Sequence, residues 1–113
     1  MSNKKINIIW SSGEKDVALK LVFMYAKNAV LKKWWESVHL IVWGPSMKLL
    51  SEDLELQSRL AELKQVGVHI SACKRCADEY GITEKILQFD IDVKYMGEPL
   101  TEILQDNEKI ITF

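Results

Sequence analysis

The sequence predicts one α/β domain spanning 1–113, a three-layer α/β/α sandwich built on a parallel sheet. Three observations carry this. Short apolar runs of strand length alternate with longer stretches of helical period. The second run, Ser37 to Trp43, is apolar almost throughout, as strands covered on both faces are. Gly, Pro and Ser fall where one pattern gives way to the next. The 113 residues, 48% of them hydrophobic, suffice for one core without a disulfide or a metal.

Lys5 to Trp10 is the first strand, with Ile6, Ile8, Ile9 and Trp10, and Ser11-Ser12-Gly13 breaks it. Asp16 to Lys33 places Val17, Leu21, Tyr25 and Asn28 on a helical period and ends on lysines, where the helix dipole favours them. Ser37 to Trp43 is the second strand, closed by Gly44-Pro45-Ser46. A short helical turn over Ser46 to Leu50 precedes a helix from Glu52 to Val66. Its Leu56, Leu60 and Leu63 form one stripe behind the acidic pair Glu52-Asp53, and Gly67 stops it.

Val68 to Ala72 is a third strand that runs straight into a helix, Cys73 to Tyr80, closed by Gly81. Thr83 suits the cap of a short helix to Leu87. Val93 to Met96 is a weaker strand, Pro99 stands at the first position of another helix, and Lys109 to Phe113 is the fifth strand. In such open sheets chemistry gathers beyond the carboxyl ends of the strands. That edge consists of Ser11, Ser12 and Gly13, the turn Gly44, Pro45 and Ser46, then Cys73, and finally Gly97.

Fifteen basic and sixteen acidic residues give a net charge of -1 with the signs interspersed. Phosphate neutralisation needs a local excess of Lys and Arg, so no nucleic-acid partner is expected. No membrane partner is expected either, because no run approaches the length of a span, and the N-terminal stretch lacks the features of a signal peptide. These features point to the cytoplasm, where cysteines 73 and 76 are reduced thiols or a redox or transfer site rather than a staple.

A thiol reacts as its thiolate, and helix N-terminal amides and neighbouring cations favour that form. Cys73, with Lys74 and Arg75 beside it, fits this description. Cys76 lies one turn further on, near enough to act as a resolving thiol. The alternative is that Cys73 is a small buried core residue. A zinc site would need His39 and His69 as further ligands. Each lies four residues before its strand's end, about 13 Å from the thiol edge at the rise of a strand, so both are expected in the core or at the opposite edge. The same separation removes a Cys-His nucleophile pair. A thioredoxin-type motif would follow the first strand rather than the third. Trp10, Trp34, Trp35 and Trp43 are packing residues, or mark a subunit interface where they are exposed.

The run Gly44-Pro45-Ser46-Met47-Lys48-Leu49-Leu50, the segment Gly67 to Cys73, and the helix ending Tyr80-Gly81-Ile82-Thr83 resemble the DsrE/DsrF-like sulfur-relay family over nearly the whole chain. The resemblance implies parallel strands in the order 4-3-2-1-5, a homotrimer or homohexamer, and no cofactor. It also implies a persulfide-type sulfurtransferase or carrier, in which Cys73 takes sulfane sulfur from a donor protein and passes it to an acceptor protein. Cys76 lies outside the family's pattern. The alternatives are a CxxC redox protein using both thiols and a non-catalytic oligomeric binding module.

Overall fold

Residues 4–113 are described by the computed structural model. The strands are β1 (Lys5–Trp10), β2 (Ser37–Val42), β3 (His69–Cys73), β4 (Asp92–Lys94) and β5 (Lys109–Thr112). All pair in parallel, in the order β4-β3-β2-β1-β5. This is the sheet expected of the sequence. β2 lies at its centre and buries Val38 to Val42, which accounts for a run that is apolar apart from His39.

Strands β1 to β4 step in one direction across the sheet. Right-handed crossovers therefore put the helices between them on one face: α1 (Lys15–Val17), α2 (Phe23–Leu31), α3 (Pro45–Glu52), α4 (Leu54–Val66), α5 (Lys74–Tyr80) and α6 (Thr83–Leu87). The step from β4 back to β5 sends α7 (Gly97–Gln105) to the opposite face. There its Pro99 and Ile103 line a cleft of about 230 Å³ with His39 and His69. One face is thus thickly covered and the other carries a single helix.

Several boundaries differ from the sequence reading for local reasons. The first helical segment is not one regular α-helix, because Ala18–Val22 between α1 and α2 takes the wider π form. Ala18, Val22, Phe23 and Ala26 all end up buried. The acidic pair splits: Glu52 ends α3, while Asp53 caps α4 by accepting the Leu56 N–H at 2.9 Å. Pro99 is the third residue of α7 rather than its first. Thr83 is the first residue of α6, not its cap, and its hydroxyl donates to Asp78.

Trp10 is fully buried and meets Phe23 edge-on, with ring centroids 4.9 Å apart. Its indole Nε1 has no hydrogen-bond partner among the described residues. Leaving such a donor unmade costs about 1–3 kcal/mol, which burial of the large ring has to outweigh. Trp34 is 53% exposed, whereas Trp35 is half-buried and donates its Nε1–H to Tyr25 Oη at 3.0 Å.

Each of the three central strands also carries one buried polar residue: Asn7, His39 and Ser71. Asn7 Nδ2 donates to Glu108 Oε1 and to the Lys109 carbonyl, both at 3.0 Å, so its Oδ1 remains an acceptor. His39 Nδ1–H donates to that Oδ1 at 3.1 Å, which leaves Nε2 to accept from the Ser71 hydroxyl at 2.8 Å. The network therefore fits the neutral imidazole. His69 stacks on His39 at 4.4 Å from the exposed side. Burial, helped by His69, Lys5 and Lys94, pushes His39 down to about 4.

The unfolded chain then takes up a proton at a higher pH than the folded one. The contribution of His39 is complete above its ordinary value of 6.5 and is lost as the pH falls toward 4, about 3 kcal/mol in all. Urea unfolding across this window should show stability falling with acid. The slope should flatten by about one proton in His39→Gln, whose amide can still bridge Asn7 and Ser71. An unchanged slope in that variant would contradict the assignment.

Candidate functional site

The carboxyl ends of the strands are tied together before any thiol is reached. The Phe113 carbonyl accepts from Ser11 N–H at 2.7 Å, Ser12 N–H at 3.2 Å and Ser11 Oγ at 2.9 Å. The Ser11 carbonyl in turn accepts Ser46 N–H at 3.0 Å. The buried Ser46 hydroxyl donates to the Trp10 carbonyl, with the Trp43 carbonyl 3.3 Å away. Ser12 Oγ accepts the Glu14 N–H at 3.1 Å. These serines, expected as binding residues, hold the ends of β1, β2 and β5 in place.

The glycines of this edge have separate roles. A Cβ on Gly13 would stand 3.4 Å from Pro45 Cβ, so the Ser11–Gly13 loop lies directly on the Gly44-Pro45 turn. Gly44 has φ 84 and ψ -145, a backbone state that essentially only glycine adopts. A Cβ there would have room, with Ser11 O the nearest atom at 3.9 Å, so the conformation rather than crowding requires glycine. Gly97 begins α7 with open space around it and gives its carbonyl to Thr101 Oγ1 at 2.8 Å.

Cys73 is the last residue of β3 and the residue that precedes α5. Cys76 lies in the first turn of that helix, and both are free thiols. The two thiols lie close enough to influence one another, and the backbone N–H of Gly44 faces Cys76. The Gly-Pro turn after β2 and the Cys-Lys-Arg-Cys segment after β3 thus meet at one point. Burial pushes the Cys76 thiol above its ordinary range and the Gly44 N–H opposes this. The Cys73 thiol, and charge on Cys73 or Glu79, push it further up.

Two expectations about activation change. The Cys73 side chain makes no capping hydrogen bond to the amides of α5. Lys74 and Arg75 are also spent on their own helix: Lys74 Nζ is 2.9 Å from Asp78 and Arg75 Nε is 3.2 Å from Glu79, each one turn on. Lys74 additionally lies 5.4 Å from the centre of the exposed Tyr95 ring. The Cys73 residue is only 3% exposed, whereas Cys76 is half-buried. The outer thiol is Cys76.

The histidines sit as the spacing predicts, away from the thiol edge, but the ring of His39 reaches further than its Cα. It bonds Ser71, which lies two residues before Cys73 on the same strand, about 7 Å along it. No bond joins either ring to a cysteine among the contacts described. Nor do the described residues hold three or more His, Cys, Asp or Glu side chains grouped to bind a metal. Sequence reasoning missed the Asn7-His39-Ser71 row. Its signal was present: a polar residue stands inside each of three apolar runs, the third holding both His69 and Ser71, and such residues are buried only with partners.

A parallel sheet with a tied carboxyl edge and two neighbouring free thiols defines a small α/β thiol protein. Residues 4–113 match the DsrE/DsrF-like family, and the chain belongs to that family, which is generally tied to sulfur relay. The chain is similar to a conserved protein of unknown function, BT1422 from Bacteroides thetaiotaomicron. The two are 37% identical, with a TM-score of 0.95 over 97% of this chain and 95% of that one. It shares its fold with MTH1491, of unknown function, from Methanobacterium thermoautotrophicum, at 19% identity and a TM-score of 0.77 over 98% of this chain and 100% of that one. The same holds for the ychN protein from E. coli, at 16% identity and a TM-score of 0.69 over 99% and 100% of the two chains. No curated protein matches the chain significantly.

Two measurements test this geometry. Gly44→Ala should lower stability by about 1–3 kcal/mol in urea unfolding, the usual cost of forcing a side chain into this backbone state. Cys73→Ala removes two of the influences that raise the Cys76 thiol. The pH midpoint of Cys76 alkylation should therefore move down in that variant; an unmoved midpoint would show that the two sulfurs do not interact.

Proposed function

We propose that the protein is a small sulfur carrier that takes sulfane sulfur as a persulfide on Cys73 and passes it to the thiol of a partner protein. The observation that carries this reading is the pair of neighbouring free thiols at the carboxyl edge of β3, beside the Gly44 turn. Membership of the DsrE/DsrF-like family supports it. In the transfer, a Cys73 thiolate attacks the terminal sulfur of a donor persulfide, and the donor leaves as its thiol. A partner thiolate then takes the same sulfur and returns Cys73 to the thiol. The step is an exchange, in which no net oxidant or reductant is consumed. The site would work within a homotrimer or homohexamer and in the cytoplasm. No helix among the described residues is long and apolar enough to cross a membrane.

A second reading, a non-catalytic binding module with Cys73 as a packing residue, is favoured by one observation, its 3% exposure. One experiment separates the two. After incubation with a sulfane donor and removal of excess, intact mass should show one extra sulfur per subunit, absent in Cys73→Ala. No adduct, together with thiols inert to alkylation in the folded state, would leave the binding module.

A further inference from the structure

We propose that Cys76 is a resolving thiol that ends the sulfur-carrying state: it attacks the Cys73 sulfur, closes a Cys73–Cys76 disulfide and releases the bound sulfur as hydrosulfide. This inference rests on the carrier reading of Cys73 and adds to it a second, competing exit for the sulfur.

The placement of the two residues permits the bond. Cys73 is the extended residue that precedes α5 and Cys76 is the third residue of that helix, so both thiols leave the chain within one turn of the strand-helix junction. A disulfide needs its Cβ atoms about 3.5–4.5 Å apart, so closure draws the two side chains together within this one turn. The two thiols are close enough to influence one another. An incoming partner thiol faces a residue that is 3% exposed, whereas Cys76 approaches from within the same turn. An intramolecular nucleophile acts at an effective concentration of about millimolar or far above, well beyond that of a protein partner in dilute solution.

The atoms and electrons balance. A pair from the Cys76 thiolate forms the bond to Cys73 Sγ. The bond between Cys73 Sγ and the bound sulfur breaks, and its electron pair leaves with that sulfur. Cys73–S–SH and Cys76–SH become one disulfide and one H₂S: the sulfane sulfur is reduced and the two cysteine sulfurs are oxidised, with the Cys76 proton passing to the leaving sulfide. Return to the dithiol requires a thiol reductant, for which dithiothreitol serves in vitro.

What keeps this exit from emptying the site at once is the protonation of Cys76. Its thiol is held above the ordinary range, chiefly by burial, so the attacking thiolate is scarce at neutral pH. Its population, and with it the release rate, rises about tenfold per pH unit below the midpoint. The persulfide would then last long enough to meet a partner near neutrality and discharge as hydrosulfide in alkali or when no acceptor arrives.

The test loads the full chain with inorganic polysulfide under anaerobic, reductant-free conditions and desalts it. Intact mass and released hydrosulfide are then followed at pH 7 and pH 9. The wild type should lose its added sulfur, finish two hydrogens lighter than the dithiol and yield one hydrosulfide per subunit, faster at pH 9. Cys76→Ser should keep the added sulfur at least tenfold longer, and Cys73→Ser should take up none. Wild type that holds its sulfur as long as Cys76→Ser at both pH values overturns the resolving role and leaves the carrier reading standing. Sulfur accumulating on Cys76 in Cys73→Ser reverses the roles and also overturns it. If neither the wild type nor Cys76→Ser takes up sulfur, the carrier reading itself fails.

Discussion

The imidazole of His39 joins three adjacent strands through bonds to Asn7 and Ser71, inside a sheet that is otherwise almost wholly apolar. Apolar strands buried on both faces have little else to fix how far each slides along its neighbour, because one Val or Ile packs much like another. A buried polar row changes this. A slip of β1 or β3 past β2 would leave an amide, an imidazole or a hydroxyl buried without a partner, at about 1–3 kcal/mol each. The observed register aligns Trp10 with Val42 and Val42 with Ala72, and so the ends of the three strands finish level.

That level edge is what makes a site of the segments beyond it. Because β1 and β2 end together, Ser46 can span from the start of α3 to the Trp10 carbonyl, and Ser11 can hold both Ser46 and Phe113. The Gly44 turn is thereby fixed against the end of β3, where its N–H meets Cys76. A chain of contacts links the middle of the sheet to the thiols without any residue of the row touching a sulfur.

The site's electrostatics are quieter than its sequence suggests. Two cations follow Cys73 in the chain, yet Asp78 and Glu79 stand one turn later and pair with them. The strongest influences on the Cys76 thiol are its burial, which raises it, and the Gly44 N–H, which opposes that. This arrangement suits a sulfur held in a sheltered position and exchanged between thiols better than a site that must activate a nucleophile against a poor leaving group.

How much was legible follows the range of the interactions involved. The alternation of apolar runs with helical stripes located five strands and their helices, because those periods express local geometry. The carboxyl edge followed from the parallel topology. The sequence by itself determined the class of fold, the position of Cys73 at the end of the third strand and the removal of His39 and His69 from that edge. Tertiary structure alone decided that Asn7, His39 and Ser71 form one network. It also decided that Ser11 and Ser46 bond across the strand ends and that Cys76 rather than Cys73 is the outer thiol. The network and the serine bonds depend on contacts between residues 32 or more positions apart, and the exposure of each thiol on what packs over it, and no local period carries that information.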